Sequence, residues 1–378
     1  MDSHLKYWYW LGALTGVSSK RVKHLLEIYG NAYEIYRRSY DELAKLEFLN
    51  PRIAAMIADP SIRVGLDDRL YALTGNGVEV ISIQDDRYPC LLREIDDPPT
   101  VLYMRGDAPL KRDDMTIAVV GTRRPTAYGI AMTKKLVQGL AAFDFTIVSG
   151  LAAGIDAEAH DMAIEEGVKT IAFLGCGVER AYPATNSRLM REVIKNGAVY
   201  SEYPPGTVPY QSNFPQRNRL ISGASLGTVV VEAGERSGAL ITAGFAGDQG
   251  RDVFAVPGNA TSPLSRGANA LLRDGAQVAA SVDDIVFALN KYMGAQGFSS
   301  INMGEGNLAR IELERKLQCL GAEELRVANA IRERGPQNIN AIAEICSISA
   351  GEASALAVML EIKGLFRRMD DGAYVFDD

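Results

Sequence analysis

The feature that most constrains this chain is a series of short apolar strands, each running directly into a loop of glycine or uncharged polar residues. The series lies between Thr116 and Gly258. Its clearest members are residues 117–121, 145–150, 169–175 and 226–231. Glycine lets backbone N–H groups approach an anion closely, and a following helix directs its positive end to the same point. The series therefore predicts an α/β fold with an anion-binding edge.

Strands and helices alternate through this core. The predicted strands are residues 117–120, 146–149, 170–174, 199–201, 228–231 and 253–256. They are apolar without alternation, which is typical of a sheet that is covered on both faces. Right-handed crossovers then give a doubly wound (extended Rossmann) parallel sheet over residues 113–290. Its binding edge is expected at the carboxyl ends of the strands.

Smaller regions flank the core. Residues 1–75 show helical spacing with two turn-like joints, which resemble helix–hairpin–helix units or a SAM-like bundle, and a structural role is favoured over a DNA clamp. Residues 76–112 are predicted as a bridge with two short strands, and residues 291–321 as a linker. Residues 322–378 are predicted as three helices and a hairpin, which form a winged-helix domain.

The charge of the chain limits what it can bind. Its 40 basic and 47 acidic side chains give a formal net charge of −7, so nucleic-acid binding requires a local basic patch. Residues 322–378 hold six basic and ten acidic residues, which favours a protein-docking or structural module over a reader of DNA grooves. The four cysteines are scattered, and no segment has the pattern of a signal peptide or membrane helix. We therefore expect a cytoplasmic protein without cofactor or membrane contact.

The loop after the first core strand carries two arginines. Gly121, Thr122, Arg123 and Arg124 follow that strand at once, and residues 116–143 contain four basic side chains and no acidic one. Arginine at this edge suits phosphate, and the alternative is an arginine that binds backbone carbonyls of its own loop. We favour the phosphate contact. The loop is neither a P-loop nor a dinucleotide fingerprint, because both glycine spacings are absent.

The second loop, residues 149–156, also has the size of an anion site. Asp156 and His160 lie four residues apart on the helix that follows, and hence on one face. An acid/base pair is one interpretation, but no nucleophile or third group lies nearby in sequence. A helix cap and an internal hydrogen bond are therefore favoured. No carboxylate pair has metal-ligand spacing, so we expect no metal site and no catalytic residue.

A third candidate combines basic and aromatic side chains. Arg217, Asn218 and Arg219 are predicted in a loop within residues 203–231, which contain no acidic residue. The aromatic residues interleaved there are Tyr203, Tyr210 and Phe214. Such a loop suits an unpaired strand, with phosphates on arginine and bases on rings. The alternative is an ordered loop packed by its own aromatic residues.

Taken together, these stretches resemble the DNA-processing protein A family (DprA, also called Smf). The matching stretches follow one another through the core: residues 121–123, 149–156, 182–186, 201–206, 214–221, 229–233, 237–242 and 250–258. An ordered series of this length is specific. The helical and winged-helix flanks also resemble family members, more loosely.

The resemblance implies a function without catalytic turnover. It implies an extended Rossmann core that binds single-stranded DNA, forms a homodimer and loads the RecA recombinase during natural transformation. Carried onto this chain, the residues expected to contact DNA or its phosphates are Gly121, Thr122, Arg123, Gly150, Gly154, Arg188, Arg217, Asn218, Arg219 and Arg251. Arg188 corresponds to the basic residue that follows the Tyr-Pro-x-x-Asn turn of the family.

Two alternatives stay open from the sequence. One is an enzyme that acts on nucleotides, such as a phosphoribohydrolase, in which Glu232 stabilises an oxocarbenium ion and Arg123 holds a monophosphate. Glu232 would otherwise bind hydroxyl groups or cap Ser237. The Pro-Gly-Gly-x-Gly-Thr loop of such enzymes is absent, because residues 221–228 stand in its place. The other alternative is a dinucleotide-binding sensor.

Overall fold

The computed structural model describes residues 4–14, 17–107, 110, 114–290, 320–363, 365–369 and 372–376. The chain divides into two compact units, Met1–Tyr292 and Met293–Asp378. The first unit contains the amino-terminal helices and a large sheet, and the second contains three helices and a hairpin. Of the predicted linker, residues 291–319 lie outside the described residues.

The first unit begins with short helices. They are α1 (Leu5–Gly12), α2 (Ser19–Tyr29), α3 (Ala32–Tyr36), α4 (Tyr40–Leu43), α5 (Pro51–Ala58) and α6 (Leu66–Gly75), with a 3-10 helix at Pro60–Arg63. Asn31, Ser39 and Asn50 cap three of them, each accepting a hydrogen bond from the backbone N–H three residues on. The helices agree with the character predicted for residues 1–75, and the domain boundary there stays a prediction.

These helices pack directly on the edge of the sheet. Trp10 and Leu25 share one buried core with Tyr103 of the sheet. A Cβ atom at Gly12 would lie 2.7 Å from the Cβ atom of Val101, so α1 approaches the sheet as closely as a glycine permits. The amino-terminal helices and the sheet are therefore parts of the same compact unit.

In the described part of the first unit, nine strands form one sheet. They are β1 (Glu79–Ser82), β2 (Val101–Gly106), β3 (Thr116–Val120), β4 (Thr146–Ser149), β5 (Thr170–Phe173), β6 (Gly197–Ser201), β7 (Gly227–Val230), β8 (Asp252–Ala255) and β9 (Gln277–Val278). Their order is β1-β2-β6-β5-β4-β3-β7-β8-β9. Strands β3 to β9 run parallel to one another. At one edge β2 pairs antiparallel with β6, and β1 pairs antiparallel with β2.

Helices cover both faces of this sheet. They are α7 (Cys90–Arg93), α8 (Ala127–Ala141), α9 (Ile155–Glu165), α10 (Ser187–Asn196), α11 (Asn213–Gly223), α12 (Gly238–Asp248), α13 (Arg266–Arg273) and α14 (Val282–Leu289), with a 3-10 helix at Ala184–Asn186. Every residue of β3 is buried, as expected for a central strand. After β3 the chain builds β4, β5 and β6 on one side and then returns to place β7 on the other. The ends of β3 and β7 thus form a topological switch point, where open α/β sheets bind ligands.

The doubly wound sheet confirms the predicted fold class, and two details differ from the prediction. The two strands of the predicted bridge extend the sheet itself, where β2 pairs antiparallel with β6 and β1 pairs antiparallel with β2. The predicted loop around Arg217 is the helix α11, in which Arg217, Leu220 and Ile221 are buried. Their spacing of three and four residues puts them on one helix face, and the early Pro215 is tolerated because it lies in the first turn.

The second unit follows the predicted order of elements. Its helices are α15 (Ala322–Arg334), α16 (Ile339–Cys346) and α17 (Ala350–Ile362), and β10 (Phe366–Arg368) pairs antiparallel with β11 (Tyr374–Phe376). Ser349 and Glu352 form the predicted capping box of α17. The assignment to the winged-helix class stays a prediction. Across the described chain no single helix is long and apolar enough to span a membrane, and α16 and α17 pass that test only together, across a 108° bend.

Candidate nucleic-acid interface

A groove of about 770 Å³ lies at the carboxyl ends of β3 and β7. Its walls are the loop after β3, the start of α9, one face of α11 and the start of α12. The lining residues that carry chemistry are Gly121, Thr122, Arg123, Asp156, Tyr182, Phe214, Arg217, Asn218 and Arg236. We call this cavity the switch-point groove.

Arg123 stands exposed on the groove wall. Its guanidinium carbon lies 5.8 Å from the centre of the Phe214 ring, and Phe214 packs against Tyr182 with ring centroids 5.0 Å apart. Within the described residues, no ion pair or hydrogen bond engages the Arg123 side chain. A contact with a ring face leaves the N–H groups at the edge of the guanidinium free, and these are the groups that bind phosphate.

The loop that carries Arg123 is fixed by its own backbone. The Thr122 N–H donates to the Glu232 carbonyl at 2.7 Å, and the Thr122 carbonyl accepts from the Ile155 N–H at 3.2 Å. Gly121 leaves no space, because a Cβ atom there would lie 2.6 Å from Ile155 Cγ1. Since the Thr122 amide is already bonded, the loop offers a ligand the Arg123 side chain instead of the expected cradle of amides.

The second glycine loop folds around an internal anion. The Asp156 side chain is buried and accepts a backbone N–H of this loop at 3.4 Å. Burial raises the pKa of Asp156, and the charge of Arg217 opposes that rise. A Cβ atom at Gly150 would lie 2.6 Å from Arg217 Nη2, and one at Gly154 would overlap the backbone of the preceding loop. Both glycines thus permit close packing beneath the groove, and their contact with phosphate stays a prediction.

Arg217 lies under the groove with only 4% of its surface exposed. Its Nη1 donates to the Gly150 carbonyl at 2.6 Å and to the Phe173 carbonyl. Burial lowers the pKa of the guanidinium, and Asp156 opposes that shift. The side chain therefore joins the ends of β4 and β5 to α11. Nη1 thus serves the strand ends and Nε donates to Asn218 Oδ1, whereas no hydrogen bond engages Nη2 among the described residues. Because Arg217 also lines the groove, its phosphate contact stays a prediction.

Arg219 and Arg251 point away from the groove and bind within the fold. Arg219 Nη2 pairs with Glu202 Oε2 at 2.5 Å, and its side chain is 8% exposed. Arg251 Nη2 donates to the Leu91 carbonyl at 2.9 Å and lies 3.4 Å from Glu94 Oε2. Neither side chain lines the groove. The groove therefore does not include these two predicted residues, and their phosphate contacts stay predictions.

The two remaining predicted residues differ in position. Asn218 lies on α11 in the groove wall, where its Nδ2 donates to the Gly238 carbonyl at 3.2 Å. That bond joins α11 to the start of α12. Arg188 is exposed in the first turn of α10 and does not line the groove. The groove thus gathers Asn218 with Gly121, Thr122 and Arg123 but leaves Arg188 outside.

Glu232 has a structural position that the sequence did not reveal. Its Oε1 accepts from Thr126 Oγ1 at 2.6 Å and its Oε2 accepts from the Thr126 N–H at 2.9 Å. Ser237 instead caps its own helix, accepting from the Ala239 N–H at 3.3 Å. Glu232 therefore holds Thr126, the N-cap residue of α8, and it lines a separate cavity of about 550 Å³ instead of the groove. The phosphoribohydrolase alternative thus loses its carboxylate beside Arg123 in the groove.

His160 makes the internal hydrogen bond that the sequence favoured over acid/base catalysis. Its Nδ1 lies 2.6 Å from Thr170 Oγ1, and that hydroxyl donates to the Ile147 carbonyl at 3.0 Å. The Thr170 oxygen must then accept, so Nδ1 of His160 carries the proton. Full burial lowers the pKa of His160 to about 3. Among the described residues, no group of three or more His, Cys, Asp or Glu side chains is placed to hold a metal ion.

The sequence analysis missed two residues of the groove as ligand contacts. Arg236 is an exposed side chain in the segment between β7 and α12, and the ring of Tyr182 is 42% exposed. The sequence contains a signal for each of them. Arg236 follows a core strand and precedes the small residues that open a helix, as Arg123 does on the neighbouring strand, and Tyr182 begins the Tyr-Pro-x-x-Asn turn.

Comparison with known proteins identifies the family. Residues 79–290 match the family model described as DNA recombination-mediator protein A. The chain belongs to that family. The match covers the whole sheet and the switch-point groove, which confirms the resemblance to DprA and Smf proteins. Membership in the recombination-mediator protein A family gives the chain a role in DNA processing.

Relatives in the family cover different shares of the chain. DNA processing protein DprA of Bacillus subtilis is 42% identical over 216 residues, which are 57% of this chain and 73% of that protein. Protein Smf of Synechocystis is 30% identical and covers 96% of each chain. The second match includes the amino-terminal helices and the carboxyl-terminal unit.

Solved structures of family members share this fold. DNA processing protein A of Streptococcus pneumoniae superimposes with a TM-score of 0.66 at 34% identity, covering 75% of this chain and 97% of that one. The protein from Helicobacter pylori, described by its single-stranded DNA binding mode, gives 0.51 at 31% identity, covering 57% and 96%. None of these four family members is named for a catalysed reaction.

Proposed function

We propose that this chain binds single-stranded DNA in the switch-point groove, without turnover, and mediates recombination by loading RecA on the bound strand. The observation that carries the proposal is Arg123, exposed and unpaired among the described residues, lying over the ring of Phe214. A phosphate on the guanidinium and a base near the aromatic pair would satisfy both groups at once.

The groove favours a single strand over a duplex for a physical reason. The exposed ring of Tyr182 and the neighbouring Phe214 offer apolar surface to a base, and a base in a duplex is already stacked and paired. Phosphate contacts carry no sequence information, so binding through Arg123 is expected to be independent of sequence. The single-stranded DNA binding mode described for the Helicobacter pylori relative supports the same ligand.

The role in recombination rests on the family. Its description as a recombination mediator supports the loading of RecA, and its resemblance to DprA supports homodimer formation and a place in natural transformation. A protein that hands DNA to RecA works in the cytoplasm, which we propose as its location. These finer features follow from family membership, whereas DNA binding also has support from the groove.

The test measures binding of a labelled oligo-dT strand by the full chain over a range of salt concentrations. Arg123→Ala should weaken binding about tenfold near physiological salt, because a charge-assisted hydrogen bond to phosphate is lost. The slope of log affinity against log salt should fall by about 0.7, the value for one phosphate of a single strand.

Arg124→Ala is the matched control. Arg124 is the next residue, carries the same charge and is exposed, but it does not line the groove. Its replacement should change affinity less than about twofold. Equal losses in the two variants would show that general charge, and not the groove, holds the strand. An unchanged affinity in Arg123→Ala would remove the groove from the proposal.

A further inference from the structure

The switch-point groove contains a second exposed arginine on a different strand end. Arg236 lies in the segment between β7 and α12 and lines the same cavity as Arg123, which follows β3. The two strands are direct neighbours and run parallel, with Val120 opposite Val230 at their carboxyl ends. The two side chains therefore start from adjacent strand ends and reach into one space.

Among the described residues, the Arg236 side chain has no hydrogen-bond or ion-pair partner that would explain its position. Across the described part of the chain, no ion pair or hydrogen bond engages its side chain. The carboxylate beside it in sequence, Glu235, instead lies 3.8 Å from Arg266 Nη1. This contrasts with Arg219 and Arg251, whose guanidinium groups bind carboxylates of the fold. An unpaired guanidinium in a groove is available to an anion from outside.

The surroundings of Arg236 leave space for that anion. A Cβ atom placed at Gly238 would meet nothing within 4 Å, so the start of α12 faces open space. The Gly238 carbonyl accepts from Asn218, which fixes α12 against α11 beside the groove. The carboxyl group of Asp156, which also lines the groove, is buried, which raises its pKa, and the charges of Arg217 and Arg123 oppose that rise.

We propose that Arg236 binds a second phosphate of the strand whose first phosphate is held by Arg123. This inference rests on the proposed function and adds a subsite to it. With two phosphates held at adjacent strand ends, the groove would prefer an oligonucleotide over a mononucleotide. It would also fix the path of the strand across the ends of β3 and β7.

The experiment compares Arg236→Ala, Arg236→Lys and Arg123→Ala in the full chain, using salt titrations of oligo-dT binding. Arg236→Ala should weaken binding about 5–10-fold near physiological salt and lower the salt slope by about 0.7. The double variant Arg123→Ala, Arg236→Ala should lose about 1.4 from the slope. Arg236→Lys keeps the charge and should retain most of the slope.

Arg273→Ala is the control, because Arg273 is 79% exposed and lies outside the groove. The thermal unfolding midpoint of each variant should match that of the parent chain, since among the described residues Arg236 has no hydrogen bond or ion pair to lose. If Arg123→Ala weakens binding while Arg236→Ala behaves like Arg273→Ala, the second subsite is wrong and the proposed function stands. If neither groove arginine affects binding, the proposed function fails, and the second subsite fails with it.

Discussion

The arginines around the switch-point groove form two layers with opposite behaviour. In the upper layer, Arg123 and Arg236 are exposed and, among the described residues, have no ion pair. In the lower layer, Arg217 and Arg219 are buried and bind strand ends and carboxylates of the fold. All four follow or face strands of the same sheet edge, so the role of each arginine depends on where its partners lie.

The greatest loss of unfolding free energy is expected from a substitution in the lower layer. Arg217→Ala should destabilise the chain by about 3–5 kcal/mol, because it leaves two buried strand-end carbonyls without their donor and removes a positive charge that opposes the rise in the pKa of buried Asp156. Denaturant unfolding measures this loss. Arg123→Ala is the matched variant of the upper layer, and its unfolding free energy should stay within about 0.5 kcal/mol of the parent value. Similar stabilities for the two variants would break the division into layers.

The second prediction concerns the buried side chain of His160 and the pH dependence of the unfolding free energy. His160 has a pKa of about 3 in the folded chain, well below its ordinary value. The unfolded state therefore takes up a proton first as the pH falls below about 6.5, so the stabilising contribution of neutral His160 is present above that pH and is lost below it. At about pH 4 the loss should reach about 3 kcal/mol.

A matched pair of substitutions isolates this effect. His160→Gln removes the titrating ring, so its unfolding free energy should fall less between neutral and acidic pH than that of the parent chain. His24→Gln makes the same replacement at a half-buried histidine elsewhere in the first unit and serves as the comparison variant. Chemical denaturation at several pH values provides the measurement. A parallel pH dependence of His160→Gln and the parent would mean that His160 is not protected from protons.

A smaller loss of unfolding free energy is expected at Gly154, which connects the two layers. Gly154 has a φ of +84°, and a side chain there would also overlap the backbone that carries Arg123. Gly154→Ala should cost about 2 kcal/mol of unfolding free energy and should weaken oligo-dT binding, because the loop must move. Gly247→Ala is the control, since that exposed glycine lies inside α12 with open space around it. It should be neutral or stabilising by up to about 1 kcal/mol.

Much of the fold was predictable, because continuous apolar runs such as residues 117–120 require a sheet covered on both faces. The place of the groove was also predictable, since parallel strands end at one edge. The state of each arginine was not, because it depends on partners distant in sequence. Arg251 and Glu94 are 157 residues apart, and Arg217 reaches Gly150 across 67 residues.

The helix α11 shows a second limit of prediction from the sequence. Its aromatic and basic residues suggested a loop that suits an unpaired strand. Only tertiary packing decides the matter, because Arg217 joins α11 to β4 and β5 by hydrogen bonds. A buried polar side chain at helical spacing resembles an exposed one in sequence, and so the pattern did not reveal the helix.

The hydrogen bonds between Glu232 and Thr126 affect the charge at the start of α8. Each helix that starts at this edge has a partial positive charge at its amino end, but the one belonging to α8 is already neutralised from within by a side chain of the neighbouring strand end. A polyanion arriving at the edge is therefore not attracted by the start of α8 itself. On this side of the groove, the attraction would come from the exposed side chain of Arg123 in the loop before α8.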